Sequence, residues 1–349
     1  MTNRKNIIKI TKEAVVWALV MALTLSPFSV AAEANYNAGG GTLGSNANYA
    51  IVIGADDANT NTVANGSCSV AVGALAVASG DFSSAYGYHA QATGMFSSAY
   101  GVEAKATAEG SAAYGYNAEA SGKHSSAYGN KAQATGSDSS AFGRDAQATS
   151  YFSSAFGRST RATGYNSSAF GSDAEAMGHF SSAFGNGAKA TAEGSSAYGN
   201  GAHATGESSS AYGNNAQATA FYSSAYGYNA VASADCSSAY GVEAKATGNY
   251  SAAYGYGANA TGESSSAYGN NAQATAFYSS AYGYEAKAEG KYSSAYGSYA
   301  KATGESSSAF GDEAQATAFY SSAYGNSANA TGRSSSAFGN NAIASGDYS

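Results

Sequence analysis

The sequence predicts an all-β fold, a β-solenoid of 14-residue coils with two short strands per coil stacked into two parallel sheets. Three observations carry this. First, the tripeptide Ala-Tyr/Phe-Gly recurs every 14 residues, nineteen times and without insertion, the signature of a repeat architecture. Second, each unit reads Ser-Ser-Ala-Tyr-Gly, two variable residues, Ala-x-Ala-Thr-Gly and two more variable residues. Segments of about five residues between Gly-bounded turns are too short for helices and suit strands. Third, 44 of the 349 residues are Gly and only 11% are charged, against about a quarter in ordinary soluble domains, which argues against a globular enzyme. The 13% aromatic content and the single Pro equally exclude a solvated random coil.

Residues 1–34 read as an export signal. Arg4, Lys5, Lys9 and Lys12 precede an apolar run from Ala14 to Leu25, Pro27 breaks it, and Ala32-Glu33-Ala34 offers a small-x-small cleavage site. The run is shorter than the roughly 20 apolar residues of a membrane span. Residues 35–349 carry 12 basic residues against 21 acidic ones, a net charge of −9. Without a basic stripe, nucleic acid is not an expected partner. Residues 35–66 form a lead-in segment with a first irregular coil, in which Ala50-Ile51-Val52-Ile53-Gly54 stands 19 residues before its successor, a repeat with a five-residue insertion. Gly39-Gly40-Gly41 is expected to be flexible chain rather than a phosphate loop. Residues 67–349 are the tandem coils.

Stacking lets each coil satisfy the backbone groups of its neighbours, so no coil folds alone. At about 4.8 Å per coil, the nineteen regular coils make a rod of roughly 90 Å. Position 91 and its equivalents vary freely among Gln91, Lys105, Glu119, Arg161, His203 and Ile343, so this column faces water and its neighbours Ala90 and Ala92 face inward. Thr160 is the one exception among the Ala90 equivalents. Ser83 and Ala85 never vary, which makes them the inward pair of the other strand and sends Ser84 and Tyr86 outward. An interior of Ala and Ser is too thin to admit a ring.

The aromatic column therefore runs down the outside: Tyr86, Tyr100, Tyr114 and Tyr128, then Phe142, Phe156, Phe170 and Phe184. It continues through Tyr198, Tyr212, Tyr226, Tyr240, Tyr254, Tyr268, Tyr282 and Tyr296 to Phe310, Tyr324 and Phe338. Such a strip exceeds the few hundred Å² of apolar patch that monomers usually tolerate. Self-association is the simplest cover, with Val70 and Val72 of the preceding coil on the same interface; a solvent-exposed stacked ladder is the alternative.

Ser69-Val70-Ala71-Val72-Gly73, followed by Ala76, Ala78 and Gly80, resembles the head repeats of trimeric autotransporter adhesins, the YadA-like heads, and Ala50 to Gly54 is similar. The resemblance covers roughly residues 50 to 349. It implies a left-handed parallel β-roll that forms a parallel homotrimer with the Val and Ile columns at the three-fold interface. Ser84 and Tyr86 replace the usual Val and Ile in the later coils, with Ala112 and Ala252 as exceptions at the Ser position. Rings there would need wider spacing or a rotated interface. The family's stalk and membrane barrel do not occur in these residues. Ser349 falls three residues before the next aromatic of the register, so a downstream anchor is expected, and attachment to a membrane would run through it.

No catalytic constellation, cofactor or metal is expected. His89, His124, His179 and His203 are at least 24 residues apart and none pairs with a Cys, whereas a metal site needs its ligands within one or two coils. Cys68 and Cys236 lie twelve coils apart, almost 60 Å, beyond the reach of a disulfide. They are expected to be free thiols. Asp81, Glu103, Glu109, Glu207, Glu263 and Glu305 concentrate at turns and read as solubilising charges. The turn aromatics Phe221, Tyr222, Phe277, Tyr278, Phe319 and Tyr320 either contact a ligand or clamp the turns.

The expected function is that of a non-enzymatic adhesin head, exported to the cell surface or outer membrane, that attaches to host matrix, cells or surfaces. An ice-binding or structural solenoid using the outward column Thr93, Thr107, Thr135, Thr149 and Thr163 is the alternative. Against it, Met177 and Glu289 interrupt that column. A parallel-helix carbohydrate enzyme would need clustered carboxylates that the repeat does not provide.

Overall fold

The computed structural model describes residues 35–54 and 61–349. The export signal read over residues 1–34 and most of the inserted segment, residues 55–60, lie outside the described residues. Two parallel sheets of 22 strands each make up the fold. Three-residue strands such as Ser84–Tyr86 and Ser98–Tyr100 form one sheet, and two-residue strands such as Gln91–Ala92 and Lys105–Ala106 form the other. Each strand pairs with its equivalent one coil on, in register: Tyr86 opposite Tyr100, Ala85 opposite Ala99, Ala92 opposite Ala106. Among the described residues there is no helix. At about 4.8 Å per strand, 22 coils extend roughly 100 Å.

Pairing starts earlier than the repeat is legible. Tyr36–Ala38 pairs with Ile51–Ile53, and Thr42–Leu43 with Val63–Ala64, so the lead-in segment is itself a coil. Its Gly39 and Gly40, expected to be flexible, form the turn between these strands with φ of 76° and 78°. Asn37 stands where later coils carry the inward Ala and donates its side-chain NH₂ to the Gly41 carbonyl at 2.7 Å. The insertion is absorbed between strands, since Ile51 still lies opposite Val70.

The interior follows the predicted columns. Ala85, Ala90 and Ala92 and their equivalents are buried almost without exception, as is the Ser83 column. Two threonines enter this methyl core, and both are satisfied. Thr62 Oγ1 donates to the Gly73 carbonyl and Thr160 Oγ1 to that of Gly171, each at 2.6 Å. A buried hydroxyl without such a partner would cost about 1–3 kcal/mol.

Each coil turns twice, and both turns hold a residue in the left-handed region. After the first strand come Gly87, at φ 134°, and His89, at φ 55°. Before the next comes Phe96, at φ 58°. A Cβ on Gly87 would run into the carbonyl oxygen of Gly101 in the next coil, so the close approach of successive backbones requires Gly. His89 and Phe96 tolerate positive φ because their N–H groups bond to the previous coil, to Ala74 O at 2.9 Å and Asp81 O at 2.8 Å.

Candidate functional site

The outer face of the three-residue-strand sheet carries the aromatic column, as the alternation requires. Parallel in-register pairing places each ring directly over the last. The nineteen rings from Tyr86 to Phe338 form an unbroken stack with centroids 4.6–5.1 Å apart and planes within 10°. Stacking reduces the apolar surface that a partner must cover. Ring faces bury one another within a single chain, so most rings are half-buried and only their edges and hydroxyls reach solvent. Phe338, whose upper face has no neighbour, is 67% exposed. Val70 and Val72 continue the two outward columns below, opposite Ser84 and Tyr86.

Burial raises the pKa of the ladder phenols Tyr86, Tyr100, Tyr128, Tyr212, Tyr240, Tyr268 and Tyr296 above the ordinary value, and the neighbouring phenols of the stack raise it further. Adjacent phenolates within one stack would repel, so the ladder favours its neutral form.

The turn that precedes each three-residue strand forms a second row. Phe221 and Tyr222 meet edge to face with centroids 4.2 Å apart, Phe277 and Tyr278 at 4.4 Å, and Phe319 and Tyr320 at 4.3 Å. All three Tyr rings are more than half exposed. Sequence reasoning found these pairs as dipeptides but missed contacts made across coils: Phe82 stacked on Phe96, Tyr165 edge-on to both Phe152 and Phe180, and the Arg333 guanidinium 5.4 Å over the Phe319 ring. Comparing each turn residue with the one 14 further on would have found Phe82 with Phe96 and Phe319 with Arg333, whereas the Tyr165 contacts run 13 and 15 residues along the chain.

The remaining candidates stay apart. His89 lies beside Gln91, His124 beside Asp138, and His179 accepts the Tyr165 N–H. Among the described residues no three metal-ligating side chains gather. Cys68 and Cys236 are free thiols at equivalent turn positions, both with positive φ. Two of the turn acids make local pairs. Asp81 accepts the Ser67 N–H at 2.8 Å, and Glu109, its pKa lowered chiefly by its hydrogen bond to Lys123, pairs with that ammonium at 2.9 Å. The Thr93 column is a mostly exposed single file beside the charged column of Lys105 and Glu119.

A parallel roll of 14-residue coils with an Ala core and one outward ladder defines a class of repeat protein. Within that class the YadA head domain repeat matches segments from residue 64 to residue 349, covering most of the chain: 64–90, 92–118, a continuous series over 120–230, 246–300, 302–328 and 330–349. The chain belongs to the YadA head repeat family, whose members are non-enzymatic adhesin heads. Among solved structures, the collagen-binding domain of the Yersinia adhesin YadA is similar at 22% identity, over 50% of this chain and 71% of that one, with a TM-score of 0.23. No curated protein matches the chain.

Proposed function

We propose that this chain is the head of an exported surface adhesin that assembles as a parallel homotrimer along its ladder face and presents its turn rows to matrix, cells or surfaces. The observation that carries the reading is the unbroken ring stack on a family head fold. Stacking covers ring faces but leaves nineteen edges in one line, and burying them would remove about 1,000 Å² of surface per chain from water, enough for a specific interface. Val70 and Val72 extend the same face, so one continuous contact would run from the first coils to Phe338. Export is read from the leader over residues 1–34.

Analytical ultracentrifugation of residues 35–349 tests the assembly. A trimer is expected; a stable monomer overturns it. Attachment is tested by deleting the coding region and measuring adherence to immobilised matrix proteins and to cells. Unchanged adherence overturns the adhesin reading.

A further inference from the structure

One structural unit occurs three times in the turn row. A Glu-Ser-Ser turn carries an exposed carboxylate, and one coil later a Phe-Tyr pair stands directly above it: Glu207 beneath Phe221 and Tyr222, Glu263 beneath Phe277 and Tyr278, Glu305 beneath Phe319 and Tyr320. Backbone bonds fix each stack, from the Tyr N–H to the Glu carbonyl at 3.0, 2.9 and 2.9 Å. The three units differ in the residue another coil up. In the third it is Arg333, whose guanidinium lies over Phe319. In the second it is Lys291. In the first it is Asp235, so the aromatic pair lies between two exposed carboxylates with no cation of its own.

We propose that the turn formed by Glu207, Phe221, Tyr222 and Asp235 is a recognition site for a cationic side chain of a partner protein, arginine above all. The third unit shows the chemistry within the molecule: a guanidinium placed over the ring of an edge-to-face aromatic pair, with a carboxylate one coil below. At the first unit the same receptor faces outward. One Asp235 oxygen accepts the Phe221 N–H at 3.3 Å, which leaves the second oxygen for a ligand. Phe221 and Tyr222 are 42% and 56% exposed, so the ring faces are open to approach. The acidic balance of the chain attracts basic partners to this edge. The inference rests on the reading that the turn rows face ligands.

The test uses the full chain, a fluorescein-labelled tri-arginine peptide and its neutral tri-citrulline counterpart, read by fluorescence anisotropy at physiological salt. The arginine peptide is expected to bind and the citrulline peptide not. Phe221→Ala with Tyr222→Ala leaves the charge unchanged and is expected to weaken binding about five-fold. Asp235→Arg fills the site from within, as Arg333 does, and is expected to abolish binding. Arg333→Asp opens the third unit and is expected to raise the peptides bound per chain from one to two. Far-UV circular dichroism checks that each variant keeps the roll. Binding that ignores the ring substitutions and follows net charge alone overturns the proposal, as does a change of oligomeric state in the ring variant, which would assign the turn to a second copy. Loss of adherence by the deletion strain with no ring effect on the peptide would sink this site and leave the adhesin reading standing.

Discussion

At the scale of single residues, the buried serines separate into two kinds, largely according to the residue three before. Where the residue three before is Ala or Ser, as at Ala220, the hydroxyl turns onto that turn. Ser223 Oγ donates to the Ala220 carbonyl at 2.7 Å and accepts its N–H at 3.2 Å. Where it is Gly, as before Ser83 and Ser97, most of the hydroxyls are buried with no partner, Ser139 Oγ, which donates to the Gly136 carbonyl at 2.6 Å, being an exception. Ser223→Ala is therefore expected to destabilise the roll by about 1 kcal/mol, and Ser83→Ala, which removes an unpartnered buried hydroxyl, to raise the thermal midpoint. Glycines split in the same way. Gly213 has φ 140° and a Cβ there would strike the Gly227 carbonyl, whereas Gly187 has φ 63° with nothing within 4 Å. Gly213→Ala is expected to lower the midpoint sharply and Gly187→Asn to leave it unchanged, because Asn already occupies that column at Asn215 and Asn271 with φ near 54°. The inward columns were legible because invariance and alternation point the same way. The left-handed turn residues were not, since Phe82, Phe96 and Tyr222 are poor turn formers by composition and hold positive φ only through bonds to a neighbouring coil.

At the scale of the element, the ladder shows what periodicity reveals and what it hides. A 14-residue spacing places the rings in one outward column. It does not say that they stack, because stacking depends on every side chain keeping one rotamer against a parallel, in-register neighbour. Stacking also makes the element sensitive to alkali. The folded-state pKa of ladder phenols such as Tyr86 and Tyr240 lies above the unfolded value of about 10. Their contribution to stability is therefore full below about pH 10 and lost as pH rises through the folded value. Thermal midpoints are expected to hold up to about pH 10 and to fall above it, together with a rise in phenolate absorbance. Replacing Tyr212 and Tyr240 by Phe is expected to reduce the alkaline loss, since the run Phe142 to Phe184 already stacks at 4.7–4.8 Å without a hydroxyl. An unaltered alkaline profile in that variant would place the sensitivity elsewhere.

At the scale of the molecule, the roll is a one-dimensional stack whose length is set by the number of coils and whose stability is a sum of nearest-neighbour terms. Glu207 to Tyr228 recurs unchanged as Glu263 to Tyr284, so removing residues 207–262 joins Gly206 to Glu263 within native local sequence and takes out four whole coils. Every outward column keeps its register, and the next strand, Ser266–Tyr268, meets Ser196–Tyr198 as Ser210–Tyr212 does now. The shortened chain is expected to fold with an unchanged circular dichroism per residue and a rod shorter by about 19 Å in small-angle scattering. Removing residues 207–255 instead takes out three and a half coils and sets Ala-Thr turns against aromatic strands. A half-coil shift exchanges the two strand types: Ser and Ala still point inward, but Tyr268 moves to the outward place of Thr219 on the other sheet and the ladder breaks, so this variant is expected to melt well below the four-coil deletion. If both deletions folded equally well, the coil-by-coil registration of core, turn and ladder would not be what holds the molecule together.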